Sequence, residues 1–356
     1  MGKRSLVVTS IAGSENAVLR GLSSSSSSRG ITFIVIGDVS SPAEFALEGC
    51  DYYSIGRQEG LGFALSQSLP VRHYARKNIG YLVAMRGGAE VIQETDDDNI
   101  PYGEFWEVSE EVGEVGVYEG SGWTNVYKLF TNEAVWPRGF SLAHIKEAVT
   151  PPPLMYSKGY KYPIRQGLAD ANPDVDAVYR LTGVLPVKFA EDKTRLVGLG
   201  RGSWCPFNSQ NTVWYAEAYG LLYLPSYCSF RMTDIWRSFV AQRICWENDW
   251  GVLFHHATVS QERNDHNLLG DFADEVVGYL HNGRIVEELE KLSLRAGVEH
   301  VGENMLVCYE QFIRMGLVDK KELGLIKDWI DDISNCGVVC RVGVGVGVGK
   351  RGSGMG

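Results

Sequence analysis

Apolar and polar positions in the first third of the chain fall in blocks that suit strand, helix, strand and helix in turn. Leu6-Val7-Val8-Thr9 is a short apolar run, the pattern of a strand covered on both faces, and Ile31 to Ile36 repeats it just before Gly37-Asp38. Ser14 predicts the cap of a helix over Glu15 to Leu22, and the six serines Ser23 to Ser28 predict a flexible surface loop. Phe63 to Leu69 and Tyr74 to Arg86 read as helices. Glu90 to Glu94 reads as a strand that runs straight into Asp96-Asp97-Asp98-Asn99. Such alternation predicts a parallel sheet with crossover helices, and sheets of that kind place ligands at the exits of their strands.

From about Pro101 to Pro206 the pattern loosens into proline, glycine and aromatic residues. Trp136-Pro137-Arg138-Gly139-Phe140 and Pro151-Pro152-Pro153 forbid long helices, so loops and mixed strands are predicted. Helical periodicity returns over Thr233 to Trp246, Asp271 to Leu294 and Glu303 to Met315, with a break predicted at Asn282-Gly283. The stretch from Gly337 to Gly356, with its alternating Val and Gly, reads as a disordered tail.

Composition narrows the function classes. With 356 residues, 44% hydrophobic and 22% charged, the chain can bury a large core, and no long linker divides its middle. A net charge of -10 argues against a nucleic-acid binder, so any phosphate recognition must be local. Seven widely spaced cysteines, an odd number, suit reduced thiols rather than a disulfide framework. No apolar stretch approaches the ~18 residues needed to span a bilayer.

Asp96 and Asp98 are two apart at a strand end, so their side chains leave on one side and can share a hard cation, Mn2+ or Mg2+. That cation would keep positions open for a nucleoside diphosphate; the plainer alternative is a solvated acidic turn. Arg76-Lys77-Asn78 opens the helix before this strand, where backbone amides and cations can both face phosphates; the plainer alternative is two surface charges on an amphipathic helix. Asp38 can meet a ribose or base, or simply make a turn. Asp234 at a helix start suits a general base that deprotonates an acceptor hydroxyl, and equally an N-cap. His255, after the strand-like Gly251-Val252-Leu253-Phe254, can approach the metal or stay structural. Cys205 has no activating base nearby in sequence and is not a candidate nucleophile.

Several stretches together resemble a known family. His73-Tyr74-Ala75-Arg76-Lys77-Asn78-Ile79-Gly80-Tyr81, Thr95 through Asn99, Pro137-Arg138-Gly139-Phe140, Pro173-Asp174-Val175-Asp176-Ala177 and Trp204 through Thr212 cover, in order, about residues 5 to 290. In order and spacing they resemble the STELLO proteins, plant Golgi glycosyltransferase-like proteins associated with cellulose synthesis. More distantly they are similar to the reversibly glycosylated polypeptides, which include UDP-arabinopyranose mutases. The resemblance implies an α/β fold of the GT-A type, a Rossmann-like nucleotide-diphospho-sugar transferase with a mixed central sheet flanked by helices. It also implies an Asp-x-Asp metal site at Asp96 and Asp98, and strengthens Arg76 and Asn78 as donor-site residues. Arg138 occupies a place similar to the arginine that becomes glycosylated in the mutases.

These readings combine into one expectation. A metal-dependent glycosyltransferase takes a nucleotide-sugar, in the first instance a UDP-sugar, and a carbohydrate or glycoconjugate acceptor. Asp96, Asp98 and His255 would hold the metal; Thr9, Asp38, Arg76, Asn78 and Asp97 would hold the donor; Asp234 and Arg138 would be catalytic. The expected units are a GT-A-like domain over 1–295, with a nucleotide half 1–100 and an acceptor half 101–270, a helical extension 296–336 and the tail 337–356. A nucleotide-sugar mutase and a non-catalytic scaffold are the alternatives. The membrane anchor that the resemblance implies has no counterpart at the N-terminus, so the cytoplasm is the expected compartment, with association at the Golgi surface left open.

Overall fold

In the computed structural model, residues 2–109, 112–151, 154–156, 159–190, 192–262 and 267–339 are described. The apolar runs at the start of the chain become β1 (Arg4–Thr9) and β2 (Thr32–Ile36), whose centres are fully buried. Between them lies α1 (Ala17–Ser28), capped by the Asn16 side chain on the Leu19 N–H rather than by Ser14. The predicted serine loop is therefore a helix. Leu19 and Leu22 anchor it to the sheet, Ser23 and Ser26 are small enough to be buried beside them, and the Ser23 hydroxyl donates to the Glu48 carbonyl. Weak local propensity yields here to tertiary packing.

β3 (Cys50–Tyr53), α2 (Ile55–Glu59), α3 (Ala64–Ser68), α4 (Lys77–Arg86) and β4 (Val91–Thr95) complete the first third. In α4, a Cβ on Gly80 would collide with the side chains of Val7 and Ile36. The glycine lets the helix lie directly on β1 and β2. The short strands β5 (Asn99–Pro101), β6 (Glu114–Tyr118), β7 (Gly122–Trp123) and β8 (Leu154–Tyr156) precede β9 (Lys161–Asp170) and α5 (Ala177–Thr182). Then come β10 (Leu196–Leu199), β11 (Ser203–Trp204), β12 (Asn211–Tyr215), α6 (Thr233–Cys245) and the long β13 (Trp250–Gln261).

One mixed sheet of eleven strands runs in the order β3-β2-β1-β4-β12-β9-β13-β10-β6-β8, with β5 added to β13; β7 and β11 pair separately. β3, β2, β1 and β4 are mutually parallel, while β12 enters antiparallel to β4. The fold is thus α/β, with a mixed central sheet flanked by helices, as the resemblance implies. Strands β1 to β3 progress outward in one direction and β4 returns to the other side of β1. That reversal opens a crevice at the carboxyl ends of β1 and β4, where Thr9 and Asp96 emerge.

Three helices finish the described chain: α7 (Leu268–Glu290), α8 (Val301–Arg314) and α9 (Glu322–Asn335). No break occurs at Asn282-Gly283. The Asn282 amide accepts from the Trp236 indole at 3.0 Å and donates to the Gly139 carbonyl at 2.8 Å, which holds a locally poor helix former in register. α9 packs on α3, and its Asp332 carboxylate accepts from the N–H groups of Ala64 and Leu65 at 3.0 and 2.9 Å. The residue that precedes α3, Phe63, offers no capping oxygen, so Asp332 caps that helix from 267 residues away. Asp332→Ala is expected to cost about 1 kcal/mol, read as a lower denaturation midpoint. An unchanged midpoint would mean that water caps α3 equally well. The predicted tail falls from residue 340 onward outside the described residues. Among the described residues no helix is long and apolar enough to cross a membrane.

Candidate active site

The crevice predicted by the strand reversal is a cleft of about 560 Å³. Thr9 and Ser10 enter it from β1, Gly37 and Asp38 from β2, and Asp96, Asp97 and Asp98 from β4. Its opposite wall carries Arg138, Asp174, Arg180, Arg231 and Asp234. All three aspartates of the acidic loop therefore line one cavity.

Each of them is oriented by a different partner. Asp96 Oδ1 accepts from the Tyr74 hydroxyl at 3.1 Å and lies 3.4 Å from the Lys77 ammonium. That ammonium is wholly buried and also donates to the carbonyls of Thr95 and Ser209, at 3.0 and 3.2 Å, and to the Tyr74 oxygen. Asp97 accepts from Ser10, and both oxygens of Asp98 take the Gln261 amide at 3.1 Å. Burial pushes the Asp96 carboxyl up to about 7; Lys77 and Tyr74 oppose this, while the charges of Asp98 and Asp97 add to it. Burial also raises Asp97. A carboxylate held this way lacks enough positive charge around it.

The donor chemistry fits a hard divalent cation. Asp96 Oδ2 takes no hydrogen bond among the described residues, and Asp98 stands on the same cleft wall. Among the described residues no group of three or more His, Cys, Asp and Glu side chains forms a metal-ligand set, so a cation here would need oxygens from its ligand or from water.

Across the cleft Arg138 is locked. Its guanidinium meets Asp174 at 2.7 and 2.8 Å and Asp234 at 3.0 and 2.9 Å, and donates to the Arg231 carbonyl as well. Gly139, with φ of +85°, allows the sharp turn after it, where a Cβ would strike Ile235. Burial works against the Arg138 charge, but the two carboxylates outweigh it and hold the guanidinium protonated far above its usual range. Burial likewise would raise Asp234, yet Arg138 keeps it below the ordinary carboxylate range.

The structure corrects several residue roles predicted from the sequence. Arg76 lines the cleft, but its guanidinium is partly committed, donating through Nε to Gln58 at 2.7 Å and through Nη1 to the Leu69 carbonyl at 3.1 Å. Asn78 does not line the cleft; its amide exchanges two 2.9 Å hydrogen bonds with the backbone of Leu224. The Asp38 carboxylate is occupied by three backbone N–H groups, those of Val39, Arg72 and His73, at 2.6, 2.8 and 2.9 Å. It clamps a loop and has little capacity left for a ribose. His255 is remote from the acidic loop. Gln261 of β13 touches Asp98, and His255 lies six residues upstream, roughly 20 Å along an extended strand. Its ring packs on Gly167, and burial lowers it to about 4, so it stays neutral. Asp234 is an ion-pair partner with a depressed proton affinity, the opposite of what a general base requires. Arg138, held cationic by two carboxylates, has no free lone pair with which to accept a sugar.

Residues not chosen as site residues from the sequence hold the acidic loop: Ser10, Tyr74, Lys77, Ser209 and Gln261. Lys77 sits between the two residues chosen in its own motif. At a helix start, adjacent positions differ by about 100° in direction, and nothing local says which of the three faces the strand end. Cys205 is buried, which pushes its thiol up to about 12, and it takes no part.

Comparison with known proteins adds the family context. Residues 231–342 match the family model of the STELLO glycosyltransferases. The chain is similar to that family over this segment. It is 29% identical over 324 residues to the probable glycosyltransferase STELLO2 of Arabidopsis thaliana, and 27% identical over 323 residues to the probable glycosyltransferase STELLO1 of the same plant. Each alignment covers 86% of this chain but only 42% and 41% of the relatives' lengths, so this chain spans about two fifths of the proteins it matches. The matched family segment runs from the residues just before α6 through α9 and holds Arg231, Asp234 and Gln261 of the cleft. The acidic loop lies outside that segment, within the reach of the longer pairwise similarity.

Proposed function

We propose that this chain is a glycosyltransferase whose cleft takes a nucleotide-sugar donor, in the first instance a UDP-sugar, with its diphosphate beside Asp96 and Asp98. The observation that carries the reading is the arrival of three parallel strand ends, those of β1, β2 and β4, around one 560 Å³ cleft that holds all three loop aspartates. A cavity of that size suits a ligand of several rings.

Asp96 and Asp98 would hold Mn2+ or Mg2+, which supplies neutralisation of the diphosphate leaving group. The protein's own contribution is orientation. Lys77 and Tyr74, both braced by Ser209, fix Asp96 from behind, Ser10 fixes Asp97 and Gln261 fixes Asp98, so the loop needs little rearrangement on binding. The Arg138, Asp174 and Asp234 cluster forms the wall that an acceptor would meet. A mutase that glycosylates Arg138 is disfavoured by the same cluster, because the two carboxylates keep that side chain charged.

The test is a thermal-shift screen of nucleotide-sugars with and without manganese, followed by labelled transfer to candidate saccharides. Stabilisation that depends on the metal supports the reading. Ring-form exchange of a labelled donor without any acceptor would favour the mutase instead, and failure of every nucleotide to stabilise the chain would leave a scaffold role. The pH dependence follows from Asp96. A protonated carboxyl is a poor cation ligand, so metal-supported binding is expected to weaken as the pH falls below about 7. In the metal-free chain the sign for stability is opposite: the raised Asp96 favours the folded state while protonated, and that contribution fades as the pH rises through about 7. Titrations on either side of that value check both.

A further inference from the structure

Arginines dominate the positive charge of the cleft, and most of them are already engaged. Arg76 is tied through Nε and Nη1 to Gln58 and Leu69, though its buried Nη2 takes no partner among the described residues; Arg138 is tied to Asp174 and Asp234, Arg231 to Glu275 at 2.7 Å, and Arg180 to the Pro173 carbonyl at 2.9 Å. Arg72 differs. It lines the same cleft, is exposed, and among the described residues its guanidinium makes no hydrogen bond or ion pair.

Its backbone is also unusual. Arg72 adopts a φ of +56°, a left-handed conformation that an arginine side chain gains nothing by occupying. What holds it there is Asp38, whose carboxylate accepts from the N–H groups of Arg72 and His73. Asp38 is anchored in turn, since its own N–H donates to Ser41, whose hydroxyl donates to the Ser10 carbonyl at the end of β1. On the other side His73 caps Ala75 through Nδ1 and sets its ring edge-on to Phe230. A strained residue held from several directions at a cleft is a functional signal rather than an accident of packing.

We propose that Arg72 is a phosphate ligand of the donor, the cation that meets the diphosphate in the cleft bearing Asp96 to Asp98, and that Asp38 is the positioning residue that holds it there. This rests on the nucleotide-diphosphate reading given above. The chemistry fits: a guanidinium binds phosphate oxygens in a bidentate fork, and a cleft lined by Asp38, Asp96, Asp97, Asp98, Asp174 and Asp234 needs an uncommitted cation if an anionic ligand is to enter. Asp38 then acts through backbone amides and touches no ligand itself.

The experiment is calorimetric titration of the full chain with UDP, GDP and inorganic pyrophosphate in manganese, for the parent, Arg72→Gly, Arg72→Lys, Asp38→Asn and the Asp38→Asn/Arg72→Gly pair. Glycine removes the cation and relaxes the backbone, so Arg72→Gly is expected to melt no lower than the parent while binding the diphosphates about ten- to a hundredfold more weakly. Arg72→Lys keeps a charge and is expected to fall between the two. Asp38→Asn is expected to weaken pyrophosphate binding in the parent but not in the Arg72→Gly background; a merely structural role would weaken both. Parent-like affinity in Arg72→Gly, or equal affinities for the Gly and Lys variants, overturns the assignment while leaving the function intact. A parent chain that binds none of the three probes overturns the nucleotide reading and this inference with it.

Discussion

Replacement of Arg237 by methionine is expected to destabilise the protein by about 3–5 kcal/mol, because it strips the counter-charge from a carboxylate with no access to water. Glu94 and Arg237 are both fully buried. The guanidinium reaches the two oxygens of Glu94 at 2.9 and 3.2 Å and the Asn208 carbonyl at 3.1 Å, while the Trp214 indole and the Tyr81 hydroxyl donate to the same carboxylate. This network ties β4 to α6 and to the loop before β12, two residues upstream of Asp96. Urea unfolding should show the loss. The double variant with Glu94→Gln should lose less than the sum of the two single changes, since the neutral amide no longer needs the cation. Simple additivity would mean that the pair is not coupled and that the site's support lies elsewhere.

Asp96→Asn combined with Asp98→Asn is expected to lower metal-supported nucleotide affinity at least about a hundredfold. Charge neutralisation at a bound diphosphate is worth several kcal/mol, and each 1.4 kcal/mol is about a factor of ten. The fold should survive. Asparagine keeps the shape of each side chain, Tyr74 and Gln261 retain acceptors, the buried Lys77 ammonium keeps the Thr95 and Ser209 carbonyls when it loses the Asp96 charge, and removal of charge from a carboxyl that burial already penalises relieves part of that penalty. Calorimetry with UDP and manganese, alongside a melting curve, separates the two effects. Unaltered affinity in a folded variant would remove the acidic loop from the mechanism, whereas a collapse in melting temperature would recast it as structural.

Much of the parallel half was legible in advance, for reasons specific to its residues. Leu6-Val7-Val8 and Ile31 to Ile36 can only be buried strands, and Glu90 to Thr95 leads into three aspartates that cannot continue a buried strand, so the chain must reach the surface there. That placed the acidic loop at a strand exit, and the cleft is where the strand order reverses. Local signals misled where tertiary contacts compensate for them. The serine run is a helix because Leu19 and Leu22 bury it and small side chains fit beside them, and Asn282-Gly283 stays helical because Trp236 and Gly139 use the asparagine amide.

Site residues divide in the same way. Asp96, Asp97 and Asp98 could be singled out from one short stretch, because adjacency in sequence guarantees adjacency in space. Arg76, Asn78 and His255 could not be judged so, since how far a polar side chain is free to meet a ligand depends on partners along the chain: Gln58 for Arg76, Leu224 for Asn78, and the length of β13 for His255. The pairing of Arg138 with Asp174 and Asp234 joins three segments up to 96 residues apart, and it turned a candidate base and a candidate glycosylation site into an ion-paired wall. By itself, then, the order of residues determined the alternation of strands and helices and the acidic loop at a strand end, because hydrophobic period and residue type act over a few positions. Only the folded chain decided which carboxylates are paired, which arginine at the cleft stays exposed, and which polar groups are consumed in support, because charge and hydrogen bonding act through space between segments that the sequence holds apart.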